Sequence, residues 1–155
     1  MHVRASRRRC AVAAVELAVA LPLLLLLLLG VWEVGRMVEV QQLLANAVRE
    51  GGRQASTGVK SVTQIQDVVV NYLTQNGISG VTRANVTVTN LTNAARDPLS
   101  AQQLDHFEVS VSIPFNSVRW VLLNQITSVT TLNASADWYS MRDIPITVDY
   151  TIPLN

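Results

Sequence analysis

The sequence has few of the residues on which catalysis and metal binding usually depend. One of its 155 residues is cysteine, Cys10, and two are histidines. Because Cys10 precedes a long apolar run, the rest of the chain uses neither disulfide bonds nor a cysteine-based zinc site. We interpret Cys10 as an incidental thiol, since the run RRRC lacks the small apolar residues that precede a lipoprotein cysteine.

Sequence motifs of the common enzyme classes are also missing. The chain contains no HExxH, GxSxG, GxGxxG or P-loop pattern. Residues 105–108, DHFE, resemble a metal cluster in composition, but strand alternation puts His106 and Glu108 together on one solvated face. We therefore predict a polar strand surface there, and a protein without catalytic activity, cofactor, metal ion or small-molecule substrate.

Positive charge is scarce outside the N-terminus. Of the 12 Lys and Arg residues, four precede Val12, which leaves eight against 11 Asp and Glu in the rest of the chain. Only 5% of the residues are aromatic, and no basic cluster follows Val12, so a nucleic-acid interface is excluded. A basic tail before an acidic body is instead typical of a membrane topology signal, which predicts a cytoplasmic N-terminus and a translocated body.

Residues 11–32 form the one long apolar run, interrupted by a single charge, Glu16. At a rise of 1.5 Å per residue the run is about 33 Å long, enough to cross a hydrocarbon core of about 30 Å. Pro22 is tolerated in such helices, and Trp32 suits the membrane interface. A removable secretory signal is disfavoured, because Trp32 and Glu33 stand where a signal peptidase requires small residues.

The helix is predicted to continue beyond the membrane. Apolar residues recur at helical spacing at Met37, Val40, Leu44, Ala47 and Val48. Gly51 and Gly52 form the first predicted stop signal. Because the outer half of this helix is amphipathic, it requires a surface on which to pack.

The remaining sequence predicts that surface. Residues 61–77 open with a capping-box pair, Ser61 and Gln64, carry one apolar face and end at an Asn-Gly pair. Alternating apolar residues then predict strands at 84–89, 106–115, 132–138 and 144–153, with a short helix possible at 116–126. The fold class is therefore α+β, a helix packed on an antiparallel sheet of three or four strands. The last segment could equally be an arm reaching a neighbour, and residues 93–105 are the predicted exposed loop.

Residues 8–56 contain an ordered set of features, namely the arginines, Glu16-Leu17-Ala18, Leu21-Pro22 and the leucine run, Gly30, Glu33, Gly35-Arg36, Gln42, Ala47, Arg49-Glu50-Gly51 and Arg53. By these features the segment resembles the TadE-like family of bacterial pseudopilins, associated with tight-adherence (Flp-type) pili. The chain departs from the family at Leu17, where Phe is usual, and at Gly52, where Ala is common. The resemblance implies a pilin-like fold.

The resemblance also implies prepilin-type processing. A prepilin peptidase cuts such chains at the cytoplasmic face and leaves glutamate as the fifth residue, which places the cut between Ala11 and Val12. Ala11 stands where the family usually has Gly. We hypothesise that Glu16 then pairs with the new α-amine of Val12 in a neighbouring subunit. The alternative is a signal anchor whose Glu16 reaches the interface and has no further role.

Further site residues follow from the same motif. Glu33, Gly35 and Arg36 just outside the bilayer either contact neighbouring subunits or are merely solvated. Arg49, Glu50 and Arg53 either cap the long helix against the body or contact a partner, and Gly51 belongs to the same family motif.

The complete interpretation is an inner-membrane, single-pass pseudopilin-like structural protein without catalysis. It has a basic cytoplasmic leader at 1–11, a transmembrane helix at 12–32, a periplasmic extension of the helix at 33–57 and a periplasmic α+β domain at 58–155. Expected partners are the lipid bilayer, a prepilin peptidase, other pilins or pseudopilins and inner-membrane assembly proteins. One rival is a membrane-anchored envelope protein whose periplasmic domain binds a ligand or partner without forming a filament. The other is a secreted enzyme or binding domain released by signal peptidase.

Overall fold

The computed structural model describes residues 3–118 and 129–142, with side chains from Val12 onward. Within these residues the chain divides into two compact units, and each is described by itself. The first includes residues 3–39, and the second includes residues 40–118 and 130–142. The strand predicted at 144–153 and most of the helix predicted at 116–126 lie outside the described residues.

The first unit contains the N-terminal part of α1, a helix that extends from Val3 to Ser56 with Pro22 in its interior. Its large apolar side chains from Val12 to Leu28 are exposed. The helical segment Val12–Ser56 is long and apolar enough to cross a membrane, with a mean hydropathy of 2.7 in its apolar window. The predicted long apolar helix is confirmed.

In the second unit α1 presents an apolar face to the domain. Val40, Leu44, Ala47 and Val48 are completely buried, as their spacing predicts. The predicted stop at Gly51 and Gly52 is wrong, because the helix passes through both glycines and ends at Ser56. The pair costs about 2 kcal/mol of helix propensity relative to alanine, but it lets the sheet approach the helix closely. The chain turns at Gly58, whose φ of 65° suits glycine.

A second helix, α2, extends from Val62 to Gln75. The predicted capping box is present, since Ser61 Oγ accepts from the Gln64 amide at 3.3 Å and Gln64 Oε1 accepts from the Ser61 amide at 3.0 Å. The helix buries Ile65, Val69 and Leu73 along one face.

In the described part of the second unit, three antiparallel strands form a sheet in the order β1 (Val86–Asn90), β2 (His106–Pro114) and β3 (Thr131–Tyr139). Every second residue of β2 is buried and the residues between them are half-exposed or exposed, in agreement with the predicted period of two. Ala84, which the alternation places on the first strand, instead lies exposed in a short 3₁₀ turn. The arrangement of helices on a three-stranded antiparallel sheet confirms the α+β class.

Candidate functional site

The apolar segment of α1 carries one charged group between residues 12 and 32. The Glu16 side chain is exposed on the helix, and its neighbours Val15 and Leu17 are also exposed. A carboxylate in hydrocarbon costs about 2.5–3.5 kcal/mol at the centre of a helix and less towards its end. A paired cation from outside the helix would offset this cost.

The motif residues Glu33, Gly35 and Arg36 lie in the helical turn that directly follows Trp32, and they differ in solvent exposure. Glu33 is 1% exposed and Arg36 is 8% exposed, whereas Gly35 is exposed. Arg36 Nη1 donates to Glu39 Oε2 at 2.9 Å. Their role in subunit contact stays a prediction, and Gly35 is the member of the three whose surface a neighbour can reach in this conformation.

Arg49, Glu50 and Arg53 form a polar ladder on α1. Arg53 donates two hydrogen bonds to the Glu50 carboxylate, at 2.7 and 2.9 Å, and Gln54 donates a third at 2.8 Å. These bonds, with that from Arg53 the largest cause, lower the pKa of Glu50 to about 2. Arg49 donates to Asn46 Oδ1 at 3.3 Å. All of these hydrogen bonds join residues of α1, so the ladder leaves the exposed Arg49 and Arg53 accessible to a partner.

The glycine pair of α1 is where the helix meets the rest of the second unit. A β-carbon on Gly51 would lie 2.7 Å from Val69 Cγ2 on α2 and 3.2 Å from Val109 Cγ1 on β2. A β-carbon on Gly52 would overlap the five-membered ring of Trp138 on β3, with ring atom Cγ at 2.8 Å and Cδ1 and Nε1 closer still. The absence of a side chain at Gly51 therefore allows α1 to pack closely against α2 and β2. The absence of a side chain at Gly52 leaves room for the Trp138 ring.

The predicted exposed loop at 93–105 is held by a buried carboxylate. Asp105 is 3% exposed. It accepts from the Gln102 amide at 3.0 Å, from Asn90 Nδ2 at 3.2 Å and from Arg96 Nη1 at 3.0 Å. The bond from the Gln102 amide is the largest cause that lowers the pKa of Asp105, with the bonds from Asn90 and Arg96 adding to it against the effect of burial. Sequence patterns did not indicate this role, because its partners come from three separate places in the chain.

The lowered pKa of Asp105 makes the stability of the second unit depend on acid pH. Its contribution is complete above the ordinary aspartate pKa of about 3.9 and is lost as the pH falls through the lower folded value. We expect Asp105→Asn to lower the free energy of unfolding by about 1.5 kcal/mol at pH 7 and to reduce the acid dependence of stability. Urea unfolding between pH 2 and 7 checks this, with Asp97→Asn, an exposed carboxylate of the same loop, as the control. An unchanged acid slope in Asp105→Asn would contradict it.

The outer face of the sheet is polar. The His106 ring stacks on Tyr139 at a centroid distance of 4.7 Å, and its Nε2 lies 3.7 Å from Asp137 Oδ1. Glu108 stands opposite Asp137 across β2 and β3. Among residues 12–118 and 129–142, no group of three or more His, Cys, Asp or Glu side chains is placed to hold a metal ion.

The elements that define the sequence motif thus lie on one continuous helix, from Glu16 to Arg53. A family model described as TadE-like protein matches residues 11–53. The resemblance to the TadE-like family is confirmed for this segment. The TadE-like segment contains Glu16, Pro22, the exposed and buried motif residues that follow Trp32, and the glycine pair. It makes up about a quarter of the chain. No curated protein and no solved structure matches the sequence.

Proposed function

We propose that the protein is a pseudopilin-like structural component of a bacterial tight-adherence (Flp-type) pilus or a related secretion system. The observation that carries the proposal concerns one helix, α1, which contains the TadE-like segment. This helix has an exposed apolar stretch long enough to cross a membrane, and it also has the apolar face that packs in the α+β domain. Such a helix suits a subunit that resides in a membrane before assembly and then packs against other apolar helices.

The proposal assigns a topology to the chain. The arginines before Val12 favour a cytoplasmic N-terminus, an inner-membrane helix at 12–32 and a periplasmic location for residues 33–155. The periplasmic part divides into the helical extension at 33–57 and the α+β domain at 58–155. The direct partners are then the bilayer, a prepilin peptidase, other pilins or pseudopilins and inner-membrane assembly proteins.

Glu16 has the central role in assembly. Removal of residues 1–11 would create an α-amine on Val12, four residues before the carboxylate. An ion pair between Glu16 of one copy and Val12 of the next would neutralise a charge in an apolar phase, and it would select one axial stagger between adjacent helices. Gly35 and the exposed arginines of the polar ladder are further candidate contacts with neighbouring subunits.

The location and N-terminus of the mature protein test the proposal. We expect the protein in the filament fraction sheared from the cells that produce it, with a mature chain that begins at Val12 by N-terminal sequencing. A chain that begins at Met1 and stays in the membrane fraction would instead support the membrane-anchored envelope protein. A chain that begins beyond Trp32 and is released would support the secreted domain. Adjacent genes for a secretion ATPase and a prepilin peptidase would add independent support.

A further inference from the structure

The exposed apolar side chains of the second unit are concentrated at one end. β1 ends, β2 begins and β3 ends at the same level of the sheet, because Asn90, Phe107 and Trp138 are paired in register. Trp138 also lies against Gly52, one turn before the end of α1. We call this level the Trp138 end of the sheet. The large apolar side chains that are exposed in the described part of the second unit all belong to it, namely Val59, Leu91, Leu99, Leu104, Tyr139 and Met141.

Some of these residues come from segments that contact one another. We call this group the apolar tip, and it consists of Val59, Leu99, Leu104 and Met141. The Leu104 amide donates to Ser140 O at 3.1 Å, directly beside Met141. The Met141 amide donates to Ser56 O at 2.9 Å. The backbone of all three segments is therefore fixed, and the tip does not depend on a mobile loop.

Arg142 and Gly58 link the other two residues of the apolar tip to this network. Arg142 Nη1 donates to the Leu99 carbonyl oxygen. The Arg142 side chain also lies beside Gly58, which precedes Val59, with its Cδ 3.5 Å from the place of a β-carbon. Two cations border the apolar tip, Arg142 and the half-buried Lys60 that follows Val59 in the chain, while the nearby exposed Asp97 accepts hydrogen bonds from Ser100 of its own turn.

Leu104 shows that this surface is maintained at a cost to folding. Its φ is 64°, a left-handed conformation that costs a non-glycine residue about 1–2 kcal/mol. Its side chain is nevertheless 69% exposed, so it gains little from burial within the chain. A large apolar side chain held in this way is typical of a surface that binds something else.

The first unit has a second uncovered apolar surface, on α1. Val31, Val34 and Val38 lie on one side of the helix at spacings of three and four residues, and all are exposed. We call them the apolar strip. Glu39 borders the strip; its side chain is 57% exposed and pairs with Arg36, which is 8% exposed, so the carboxylate is the accessible charge of this pair.

A bilayer alone does not cover the apolar strip. The helical stretch from the exposed Val12 to the exposed Val38 is 27 residues long, or about 40 Å. A hydrocarbon core of about 30 Å covers about 32 Å of a helix at the usual tilt of about 20°. About 8 Å of helix therefore lies beyond the hydrocarbon core, and its exposed Val34 and Val38 face water unless another surface covers them.

We propose that the apolar tip of one copy docks on the apolar strip of a second copy of this chain. The tip offers uncovered aliphatic side chains with cations at its border, and the strip offers uncovered valines with a carboxylate at its border, so the two surfaces complement each other in polarity and charge. The contact joins different surfaces on the two copies, and a heterologous contact of this kind propagates into a filament when successive copies do not close into a ring. This inference rests on the proposed filament function and names a contact within it.

Disulfide cross-linking between tagged copies tests the contact. Cys10→Ser removes the one native cysteine. In that background one copy carries Val38→Cys with one tag, and a co-expressed copy carries Met141→Cys with another. We expect mild oxidation of intact cells to give a disulfide between differently tagged copies. The matched control replaces Met141→Cys with Thr87→Cys, an exposed position on the outer sheet face, and we expect at least tenfold less product.

The outcomes separate the docking contact from the filament function. Protein in the sheared filaments without the 38–141 disulfide would overturn the contact and leave the filament function intact. The disulfide in membranes from cells that form no filaments would support the contact between copies and count against the filament function. Disulfides between two Met141→Cys copies, with none to Val38→Cys, would indicate a symmetric dimer and overturn the proposal. Protection of Met141→Cys from maleimide by lipid vesicles alone would indicate a membrane as the occupant and would also overturn it.

Discussion

Gly52→Ala is expected to lower the free energy of unfolding of the second unit by about 3 kcal/mol, the upper end of the usual range for overpacking. The added methyl group would occupy the position of the Trp138 ring, and the overlap involves three ring atoms. The ring lies between a helix and the strand that carries it, so relief requires a shift of β3 away from α1. Urea unfolding of the detergent-solubilised full chain, followed by circular dichroism, measures the effect.

The same helix provides a matched control. Gly35 has no atom within 4 Å of the place of a β-carbon, so Gly35→Ala should stabilise the helix by about 0.5–1 kcal/mol through propensity alone. In a Trp138→Ala background, Gly52→Ala should lose most of its cost, because the overlapping ring is gone. Equal effects of Gly52→Ala and Gly35→Ala would show that Gly52 is not in close contact with Trp138.

Glu16→Ala is expected to abolish filament formation while the protein remains in the membrane. Insertion should persist or improve, since a carboxylate in an apolar phase costs free energy when it is unpaired. Assembly should fail because each contact loses its ion pair and its axial stagger. A loss of about 1.4 kcal/mol lowers an association constant about tenfold, and that factor recurs at every subunit added. Immunoblots of the sheared and membrane fractions measure both results.

Two substitutions at the same position distinguish charge from size. Glu16→Asp retains the carboxylate and should retain most assembly, whereas Glu16→Gln retains the shape without the charge and should behave like Glu16→Ala. Normal filaments in Glu16→Gln would show that the charge has no role in register, and Glu16 would then be an interfacial residue of a simple anchor.

The elements that depend on local patterns were predictable from the sequence. The buried face of α1, the capping box at Ser61 and the alternation along β2 follow from spacing that is visible within 10 to 20 residues. The TadE-like segment was recognisable for the same reason, because its motif lies on one helix.

Features that depend on contacts between distant segments were not predictable in this way. Two consecutive glycines indicate a helix stop when nothing else is known, and their meaning changes only when the Trp138 ring is found against Gly52. Asp105 appeared as one acidic residue beside a strand, although its partners Asn90 and Arg96 precede it by 15 and 9 residues. The apolar tip has no periodicity at all, since it combines single residues from separate turns.

The contact between Gly52 and Trp138 has a mechanical consequence. The Trp138 ring occupies the place that a side chain of Gly52 would take on the helix. Because of this overlap, β3 cannot slide along α1 unless the ring first moves out of that place. In a filament of the kind proposed, tension would be carried along the α1 helices, and the contact between Gly52 and Trp138 would resist shear between helix and sheet. The large aromatic residue at position 138 and the missing β-carbon at position 52 therefore form a matched pair.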